Sequence, residues 1–282
     1  MVHRKPEILD FSAGRYGDSS NNIRVLKRFK NKVIIVTGAS RGIGQTICAA
    51  FAGEGSRVVG VARGSLDDTE GLCACGGGFI AINADLGAAT QTAAASLVSD
   101  ILSKTGRIDA LINNAGIIRR APAVDFSEAD WNAVLATNLS APFFLCQAVA
   151  KWWLSQGRQA SGPEARLKIV NIASLLSFQG GILVPAYTAS KHGIAGITKA
   201  LANEWAKERI NVNAIAPGYI ATENTRALRE DAKRNQAILD RIPENRWGNP
   251  CDIAGGCLFL VSPDSDYLNG AIINIDGGWL GR

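Results

Sequence analysis

The sequence has little histidine, few closely spaced cysteines and no long apolar run. Among 282 residues there are two histidines, His3 and His192, and six cysteines, of which only Cys73 and Cys75 are close neighbours. Since no second Cys or His pair stands at ligand spacing, the sequence predicts no metal site and reduced thiols. No uninterrupted apolar run reaches the roughly 18 residues of a transmembrane helix, so we expect no membrane partner.

The excess of positive charge is confined to the beginning of the chain. The whole sequence has a formal net charge of +5. Residues 1–32 contain eight Lys or Arg and three acidic residues, which accounts for all of it, and the rest of the chain is neutral. A basic surface for a phosphate backbone is not predicted in the main part of the chain, so we expect no nucleic-acid partner.

Residues 1–30 differ in composition from all that follows. They lack a sustained hydrophobic period and are rich in Asn, Ser, Gly and charge, which predicts a basic N-terminal extension. No apolar segment of a secretory signal stands there, and the acidic residues Glu7, Asp10 and Asp18 are unusual in a mitochondrial signal. We therefore expect a cytoplasmic protein with a single domain over residues 31–282.

Short apolar runs alternate with helical stretches after residue 32. Helices are predicted over residues 42–53, 88–105, 127–153, 187–208 and 251–260. The spacing predicts one doubly wound, Rossmann-like α/β domain, with a seven-stranded parallel sheet covered by helices on both faces. Residues 64–78 give little support for a helix, and residues 156–168 are predicted to be a surface loop. The predicted strands are residues 33–36, 57–62, 79–83, 110–113, 168–172, 210–215 and 271–275.

A glycine-rich segment follows the first predicted strand directly. It lets backbone N–H groups and a helix N-terminus approach a pyrophosphate with no β-carbon in the way. Some glycine clusters are only tight turns, but the position between a strand and a helix favours dinucleotide binding. The segment reads Thr37-Gly38-Ala39-Ser40-Arg41-Gly42-Ile43-Gly44.

With this motif and six later ones, residues 30–282 resemble the short-chain dehydrogenase/reductase family. The later matches are Asp85 in ADL, Asn113-Asn114-Ala115-Gly116, Asn138 in TNL, Ser174 in NIAS, Tyr187 and Lys191 in YTASK, and Pro217-Gly218 followed by Thr222. The resemblance implies that the catalytic residues are Asn138, Ser174, Tyr187 and Lys191. It implies that a nicotinamide dinucleotide is bound by Gly38, Ser40, Arg41, Gly42, Ile43, Gly44, Asp85, Leu86, Asn114, Ala115, Gly116, Tyr187, Lys191, Pro217, Gly218, Ile220 and Thr222.

The residues themselves also support proton transfer at Tyr187. Positions four apart share one face of a helix, so the ammonium of Lys191 is expected near the phenol. A nearby cation favours the phenolate and is expected to lower the pKa of Tyr187 toward neutrality. A YxxxK sequence is more often an ordinary exposed helix face, but Ser174 ends an apolar strand, where α/β sheets place their sites.

The resemblance implies a division of labour among these residues. The nicotinamide accepts or donates hydride, while Tyr187 moves the proton. Ser174 positions the substrate oxygen, Lys191 also binds the nicotinamide ribose, and Asn138 helps to hold a water in the proton relay. Taken without the family, Asn138 is as compatible with a structural role at a helix kink.

The residue after the second strand bears on the choice of cofactor. An enzyme specific for NAD usually has an acidic residue there for the ribose 2′-hydroxyl. This sequence instead has Ala62-Arg63-Gly64, and guanidinium groups such as those of Arg63 and Arg41 suit a 2′-phosphate. NADP(H) is therefore favoured; NAD(H) remains possible if both arginines only face solvent.

Within the family, the second half of the chain is most similar to gluconate and deoxy-ketogluconate dehydrogenases. The similarity lies in residues 116–120, 177–181, 202–207, 240–243, 246–248 and 276–279. It implies a homotetramer and a sugar-acid substrate such as 2-dehydro-3-deoxy-D-gluconate or gluconate. Candidates for substrate contact are Arg119, Gln179, Asn224, Arg246 and Trp279, with Arg120 also considered. Two of these have an alternative role: Arg246 packs a subunit interface with Trp247, and Arg119 is a surface charge.

Two other functions are compatible with the sequence. The first is a 3-oxoacyl or general carbonyl reductase of the same family. The second, from a different class, is a non-catalytic dinucleotide-binding sensor or scaffold. The intact set of Ser174, Tyr187 and Lys191 favours an enzyme, because a sensor does not need groups for proton transfer.

Overall fold

The structure, a computed structural model, describes residues 27–88, 90–162 and 164–282. Its seven strands form one parallel sheet in the order β3-β2-β1-β4-β5-β6-β7, which confirms the predicted fold class. The chain reverses direction across the sheet between β1 and β4, which are neighbours. The strands are β1 (Val33–Thr37), β2 (Arg57–Ala62), β3 (Phe79–Asn83), β4 (Ala110–Asn113), β5 (Leu167–Ile172), β6 (Ile210–Pro217) and β7 (Ile272–Ile275).

Ten α-helices connect and cover these strands in the described part of the chain. Two π-helical turns, Ala136–Ser140 and Trp153–Gly157, interrupt one long helical stretch. The helices are α1 (Gly42–Gly53), α2 (Asp67–Cys73), α3 (Gln91–Thr105), α4 (Glu128–Leu135), α5 (Ala141–Trp152), α6 (Arg158–Ser161), α7 (Pro185–Trp205), α8 (Arg226–Glu230), α9 (Ala232–Leu239) and α10 (Pro250–Val261).

The apolar run in β1 serves both faces of the sheet. Ile34 and Val36 belong to a core cluster with side chains of α1 and α10, whereas Val33 and Ile35 belong to a second cluster with side chains of α3 and α5. Successive side chains of a strand point to opposite faces, so a strand covered on both sides reads as a continuous apolar run. The helices therefore form one layer on each side of the sheet.

The helical stretch Glu128–Gly157 belongs to the second of these layers. By length and composition it is apolar enough to cross a membrane, but half of its most apolar window is buried inside the fold. Leu145, Val149 and Trp153 lie in the core cluster that covers the sheet. Its apolar character is thus accounted for by packing against β-strands.

Two local predictions are wrong. Residues 64–78 contain the helix α2, which begins with acidic residues that favour the N-terminal end of a helix dipole. The hydroxyl of Thr69 donates to the carbonyl of Ala39, so tertiary contacts stabilise this short helix. Residues 156–168, predicted to be a loop, include α6 and the first residues of β5.

Most of the predicted N-terminal extension, residues 1–26, lies outside the described residues. Phe29 is buried, and its ring lies 5.0 Å from that of Phe51 in an edge-to-face arrangement. Arg28 forms an ion pair with Glu54 at 2.7 Å. The packed part of the chain therefore includes residues that the sequence assigned to the extension.

Candidate active site

The predicted motifs meet at the carboxyl edge of the sheet. The glycine segment follows β1, Asn114-Ala115-Gly116 follows β4, Ser174 follows β5 and Gly218 follows β6. In an open parallel sheet the crevice forms where the strand order reverses, which here is between β1 and β4. The topology thus brings residues far apart in sequence to one cleft.

Two glycines of the first motif are required by close contact. Gly38 has a φ of +66°, and a β-carbon there would lie 2.8 Å from the Cα atom of Ala115. A β-carbon on Gly44 would lie 2.2 Å from the carbonyl oxygen of Gly38. Both distances are too short for any side chain, so the loop lies directly on the segment after β4.

The N-terminus of α1 is left open to the cleft. Arg41 precedes the helix without a capping hydrogen bond from its side chain, and the first turn contains no acidic residue. Gly42 has a φ of +57°, and a β-carbon on it would meet nothing closer than Thr222, at 3.5 Å. The free N–H groups of a first helical turn suit an anion, so this end of the cleft fits a pyrophosphate.

Thr37, the first residue of the glycine motif, holds the segment after β4. Its hydroxyl oxygen accepts hydrogen bonds from the backbone N–H groups of Asn114 and Ala115, each at 3.0 Å. The Asn114 amide donates in return to the Thr37 carbonyl at 2.9 Å. The motif by itself predicts no role for Thr37, although the position of this residue at the head of the motif is a usable signal.

Asn138 lies in the first π-helical turn with its side chain fully engaged. Its oxygen accepts from the Ile117 N–H at 2.8 Å, and its amide donates to the Ile117 carbonyl at 2.9 Å and to the Ser190 hydroxyl at 3.2 Å. The side chain thus fixes the backbone immediately after Gly116. Ser190, within the YTASK motif, is a supporting residue that the sequence reasoning missed.

Ser174 and Tyr187 lie together, as the motifs predict. A hydrogen bond with Ser174 and the positive charge of Arg120 each lower the pKa of Tyr187, but burial acts more strongly and leaves that pKa above its ordinary value. Ser174 also accepts from the Leu176 N–H at 3.2 Å, which fixes the side chain at the start of a short helical turn.

Lys191 is buried and lies near Tyr187. Its ammonium lies 5.5 Å from the centre of the Tyr187 ring and donates to the carbonyl of Ile172 at 2.6 Å. Burial without a carboxylate partner lowers the pKa of Lys191 to about 8. Arg120 is a charge that acts to lower the pKa of Tyr187, but burial outweighs it, so the expectation of a lowered pKa at Tyr187 is wrong for the protein alone.

Two of the predicted substrate residues are already paired elsewhere. Arg119 is exposed and binds Asp130 at 3.1 Å. Arg246 binds Asp252 at 2.7 Å and Glu244 at 3.0 Å. Each of these guanidinium groups is therefore already paired with a carboxylate of the chain itself.

The other predicted substrate residues lie in different settings. Trp279 is buried, and its indole N–H donates to the side-chain oxygen of Gln179 at 3.1 Å. Asn224 is exposed in the short helical turn Glu223–Thr225. Arg120 makes no ion pair among the described residues, and its charge acts on Tyr187.

The predicted adenine end of the cleft brings Arg63 and Asp85 together. Their side chains are 66% and 55% exposed, and Arg63 Nε lies 3.9 Å from Asp85 Oδ1. The Asp85 carboxylate also accepts from the Gly87 N–H at 2.9 Å, while Leu86 is buried. Arg41 is exposed, so both arginines are accessible to a ligand.

The segment after β6 forms the opposite wall. Pro217 ends the strand, and a β-carbon on Gly218 would lie 2.6 Å from the Cα atom of Asp276. Ile220 is buried, and Thr222 begins a turn in which its N–H bonds the hydroxyl of Thr225 at 3.1 Å. The predicted residues on this wall thus lie in an ordered loop that faces the glycine motif.

Comparisons with known proteins agree with this geometry. The sequence model of the family described as short chain dehydrogenase matches residues 32–233. A 2-dehydro-3-deoxy-D-gluconate 5-dehydrogenase of Dickeya dadantii is 48% identical over 254 residues, which cover 90% of this chain and 97% of that protein. The protein of the same name from Bacillus subtilis is 49% identical over 257 residues, covering 90% and 96%.

Solved structures give the same result. One from Agrobacterium tumefaciens, assigned as a 2-deoxy-D-gluconate 3-dehydrogenase with bound NADP, is 52% identical with a TM-score of 0.82 over 91% of this chain and 99% of that chain. Another from Beutenbergia cavernae, assigned as an NAD(P)-dependent gluconate 5-dehydrogenase, is 41% identical with a TM-score of 0.82 over 91% and 100%. Sequence, fold and cleft thus agree that the chain belongs to the short-chain dehydrogenase/reductase family.

Proposed function

We propose that the protein is an NADP-dependent oxidoreductase that interconverts a hydroxyl and a ketone group of a sugar acid. The observation that carries the proposal is the grouping of Ser174, Tyr187 and Lys191 beside a cleft with an uncapped helix N-terminus. Relatives named for 2-dehydro-3-deoxy-D-gluconate and gluconate support the substrate class. The same groups serve oxidation of the hydroxyl and reduction of the ketone.

The proposed cofactor residues fit a dinucleotide phosphate. Gly38, Ser40, Gly42, Ile43 and Gly44 would hold the pyrophosphate against the N-terminus of α1. When bound, the nicotinamide supplies or accepts hydride at the carbinol or carbonyl carbon. Two structures of relatives contain NADP. The remaining proposed contacts are Arg41 and Arg63 with the 2′-phosphate, Asp85 and Leu86 at the adenine, Asn114, Ala115 and Gly116 along the cleft floor, and Tyr187, Lys191, Pro217, Gly218, Ile220 and Thr222 at the nicotinamide end.

In this proposal Tyr187 gives a proton to the substrate oxygen during reduction and takes it back during oxidation. Ser174, bonded to the phenol, positions that oxygen. The ammonium of Lys191 and the guanidinium of Arg120 place positive charge near the phenol, which favours the phenolate that remains after proton transfer. Asn138 holds the Ile117 backbone at the floor of the site.

The substrate carboxylate is proposed to bind Arg120. Among the arginines predicted to contact substrate, Arg119 and Arg246 are ion-paired with residues of the chain. Arg120 has no such partner among the described residues, and its charge reaches Tyr187. A guanidinium binds a carboxylate with two parallel hydrogen bonds, which would fix the distance between the acid group and the reacting carbon.

A substrate panel tests this proposal. The purified protein is assayed with deoxy-ketogluconates, gluconate, a 3-oxoacyl thioester and simple ketones, each with NADP(H) and NAD(H). The proposal expects turnover of a sugar acid, with NADP(H) preferred, and loss of turnover in Tyr187→Phe with cofactor binding retained. Turnover of oxoacyl or simple ketone substrates alone would point to a carbonyl reductase, and cofactor binding without any turnover would point to a sensor or scaffold.

We also propose that the protein is a cytoplasmic homotetramer. Its support is a groove of about 870 Å³ on the surface formed by α3, α5 and α7, lined in part by Phe144, Leu154 and Trp205. Leu154, 52% exposed, adds apolar surface to this groove, and a continuous apolar groove suits contact with another subunit. Light scattering after size-exclusion chromatography tests the assembly, and cell fractionation tests the compartment.

A further inference from the structure

We propose that Trp279 is a positioning residue for the substrate: through its indole N–H it orients the amide of Gln179, which then donates a hydrogen bond to an oxygen of the sugar acid. The inference rests on the proposed function. Of these two candidate substrate residues, Gln179 contacts the substrate and Trp279 acts through Gln179. Four features of the structure support it.

First, a tight turn after β7 directs the chain back toward the cleft. Gly277 and Gly278 have φ values of +64° and +89°, and the Asp276 carboxylate accepts the N–H groups of Gly278 at 2.9 Å and Leu280 at 3.0 Å. A β-carbon on Gly278 would lie 2.9 Å from Pro243. The turn is thus packed too closely to shift, which fixes the start of the segment that carries Trp279.

Second, the indole is held on two sides. The ring of Tyr219, in the segment after β6, lies 4.7 Å from that of Trp279, and the guanidinium of Arg241 lies 4.0 Å from the indole centre. Leu175 and Ile242 belong to the same buried cluster. Because Trp279 is only 5% exposed, the direction of its N–H group is set by this packing.

Third, Gln179 belongs to the turn that begins at Ser174. Its backbone N–H donates to the carbonyl of Leu175 at 3.1 Å, so the residue stands next to the element that carries the catalytic hydroxyl. The side chain is half-buried. Its oxygen accepts from Trp279, whereas its amide nitrogen has no partner among the described residues.

Fourth, the polarity of this hydrogen bond fixes what Gln179 offers. An indole N–H can only donate, so the glutamine must present its oxygen to Trp279 and its NH₂ group away from it. A polyhydroxylated acid offers acceptors in its hydroxyl and carboxylate oxygens. The pair therefore supplies an oriented donor beside Ser174, in a position where a freely rotating glutamine would offer donor and acceptor equally.

A double-mutant cycle tests the inference with Trp279→Phe, Gln179→Ala and the combination. Trp279→Phe keeps a ring between Tyr219 and Arg241 but removes the N–H donor. We expect each single change to raise KM for the sugar acid about fivefold to tenfold, the size of one hydrogen bond, with little change in kcat or in the Kd of NADPH. The double variant should be no worse than Gln179→Ala, because Trp279 acts through Gln179.

Trp247→Phe is the matched control. Trp247 also packs against Tyr219, at 5.6 Å, and its indole N–H also donates to a side-chain amide, that of Asn235 at 2.7 Å. It has no contact with Gln179, so removal of its N–H should leave KM for the sugar acid unchanged.

Three results would overturn the inference. One is an additive cycle, in which the double variant loses the product of the single effects. Another is an equal rise of KM in Trp247→Phe, which would show only loosening of the aromatic cluster. The third is a wild-type protein without activity on any sugar acid, which rejects the proposed function together with the inference, whereas the first two leave that function standing.

Discussion

Asn138 binds both backbone groups of one residue, Ile117: its oxygen accepts the N–H at 2.8 Å and its amide donates to the carbonyl at 2.9 Å. This reciprocal pairing resembles one rung of a β-ladder made by a side chain. It joins the π-helical turn to the segment after β4, and both polar atoms of the Asn138 side chain already have partners within the fold. The geometry thus favours a positioning role for this side chain over direct contact.

Asn138→Ala should therefore lower stability as well as activity. Three hydrogen bonds are lost in a buried site, and the Ile117 groups lose their partner, so we expect the free energy of unfolding to fall by about 3 kcal/mol. Urea unfolding followed by circular dichroism measures this. Full stability with lost turnover would instead support a role in the proton relay.

Lys191→Met should abolish turnover and yet stabilise the protein near pH 7. Burial lowers the pKa of Lys191 to about 8, so its charge is maintained in the fold at a cost. Methionine at this position removes the free-energy penalty of burying the charge, but it also loses the hydrogen bond to the Ile172 carbonyl. The net result should be a rise of about 2 kcal/mol in the free energy of unfolding. Lys199→Met, an exposed position of the same helix, should change nothing.

The same variant has a defined pH dependence. Between pH 8 and 10.5 the unfolded chain binds a proton at Lys191 that the folded protein has lost, so wild-type stability increases with pH over this range. The difference in the free energy of unfolding between Lys191→Met and the wild type should therefore shrink between pH 7 and 9.5. A difference that stays constant over this range would contradict the assigned pKa.

Arg120→Met should affect both substrate binding and proton transfer. Loss of a charge-assisted pair with the substrate carboxylate should raise KM about tenfold or more. Because the charge of Arg120 lowers the pKa of Tyr187, its removal should move the rise of the oxidation rate with pH to higher pH. Arg119→Met, whose ion pair with Asp130 lies on the surface, is the control, and an equal effect there would exclude a specific role for Arg120.

Arg63→Asp should change the cofactor preference. A carboxylate at the end of β2 repels a 2′-phosphate and can accept from a ribose hydroxyl, so the ratio of kcat/KM for NADP to that for NAD should fall about tenfold or more. Arg57→Asp is the control, because it makes the same change of charge at the other end of β2. An unchanged ratio in Arg63→Asp would show that Arg63 only faces solvent.

Most of the fold could be predicted because it depends on local sequence. Strands buried on both faces give continuous apolar runs. For six of the seven predicted strands, both the first and the last residue lie within one residue of the observed bounds. β6 extends two residues further, to Pro217. The helix α2 was missed because its stability depends on Thr69, whose partner Ala39 lies 30 residues earlier.

The catalytic motifs could be located from sequence, but the electrostatics of the site could not. Pairing of Arg119 with Asp130 and of Arg246 with Asp252 depends on how loops approach each other, and no periodic pattern encodes that. The pKa of Tyr187 depends on its depth of burial and on Arg120, both of which are properties of the assembled fold.

The hydrogen bonds between Thr37 and the segment at Asn114 also bear on how the protein reaches its native state. These residues are 77 positions apart, and they meet only after β4 has docked beside β1, past the two strands that intervene in the chain. A partly folded chain that contains β1 to β3 alone has no floor for the dinucleotide. Cofactor present during synthesis can therefore stabilise only those folding intermediates in which β4 has docked beside β1, because a ligand stabilises only states that already possess its site.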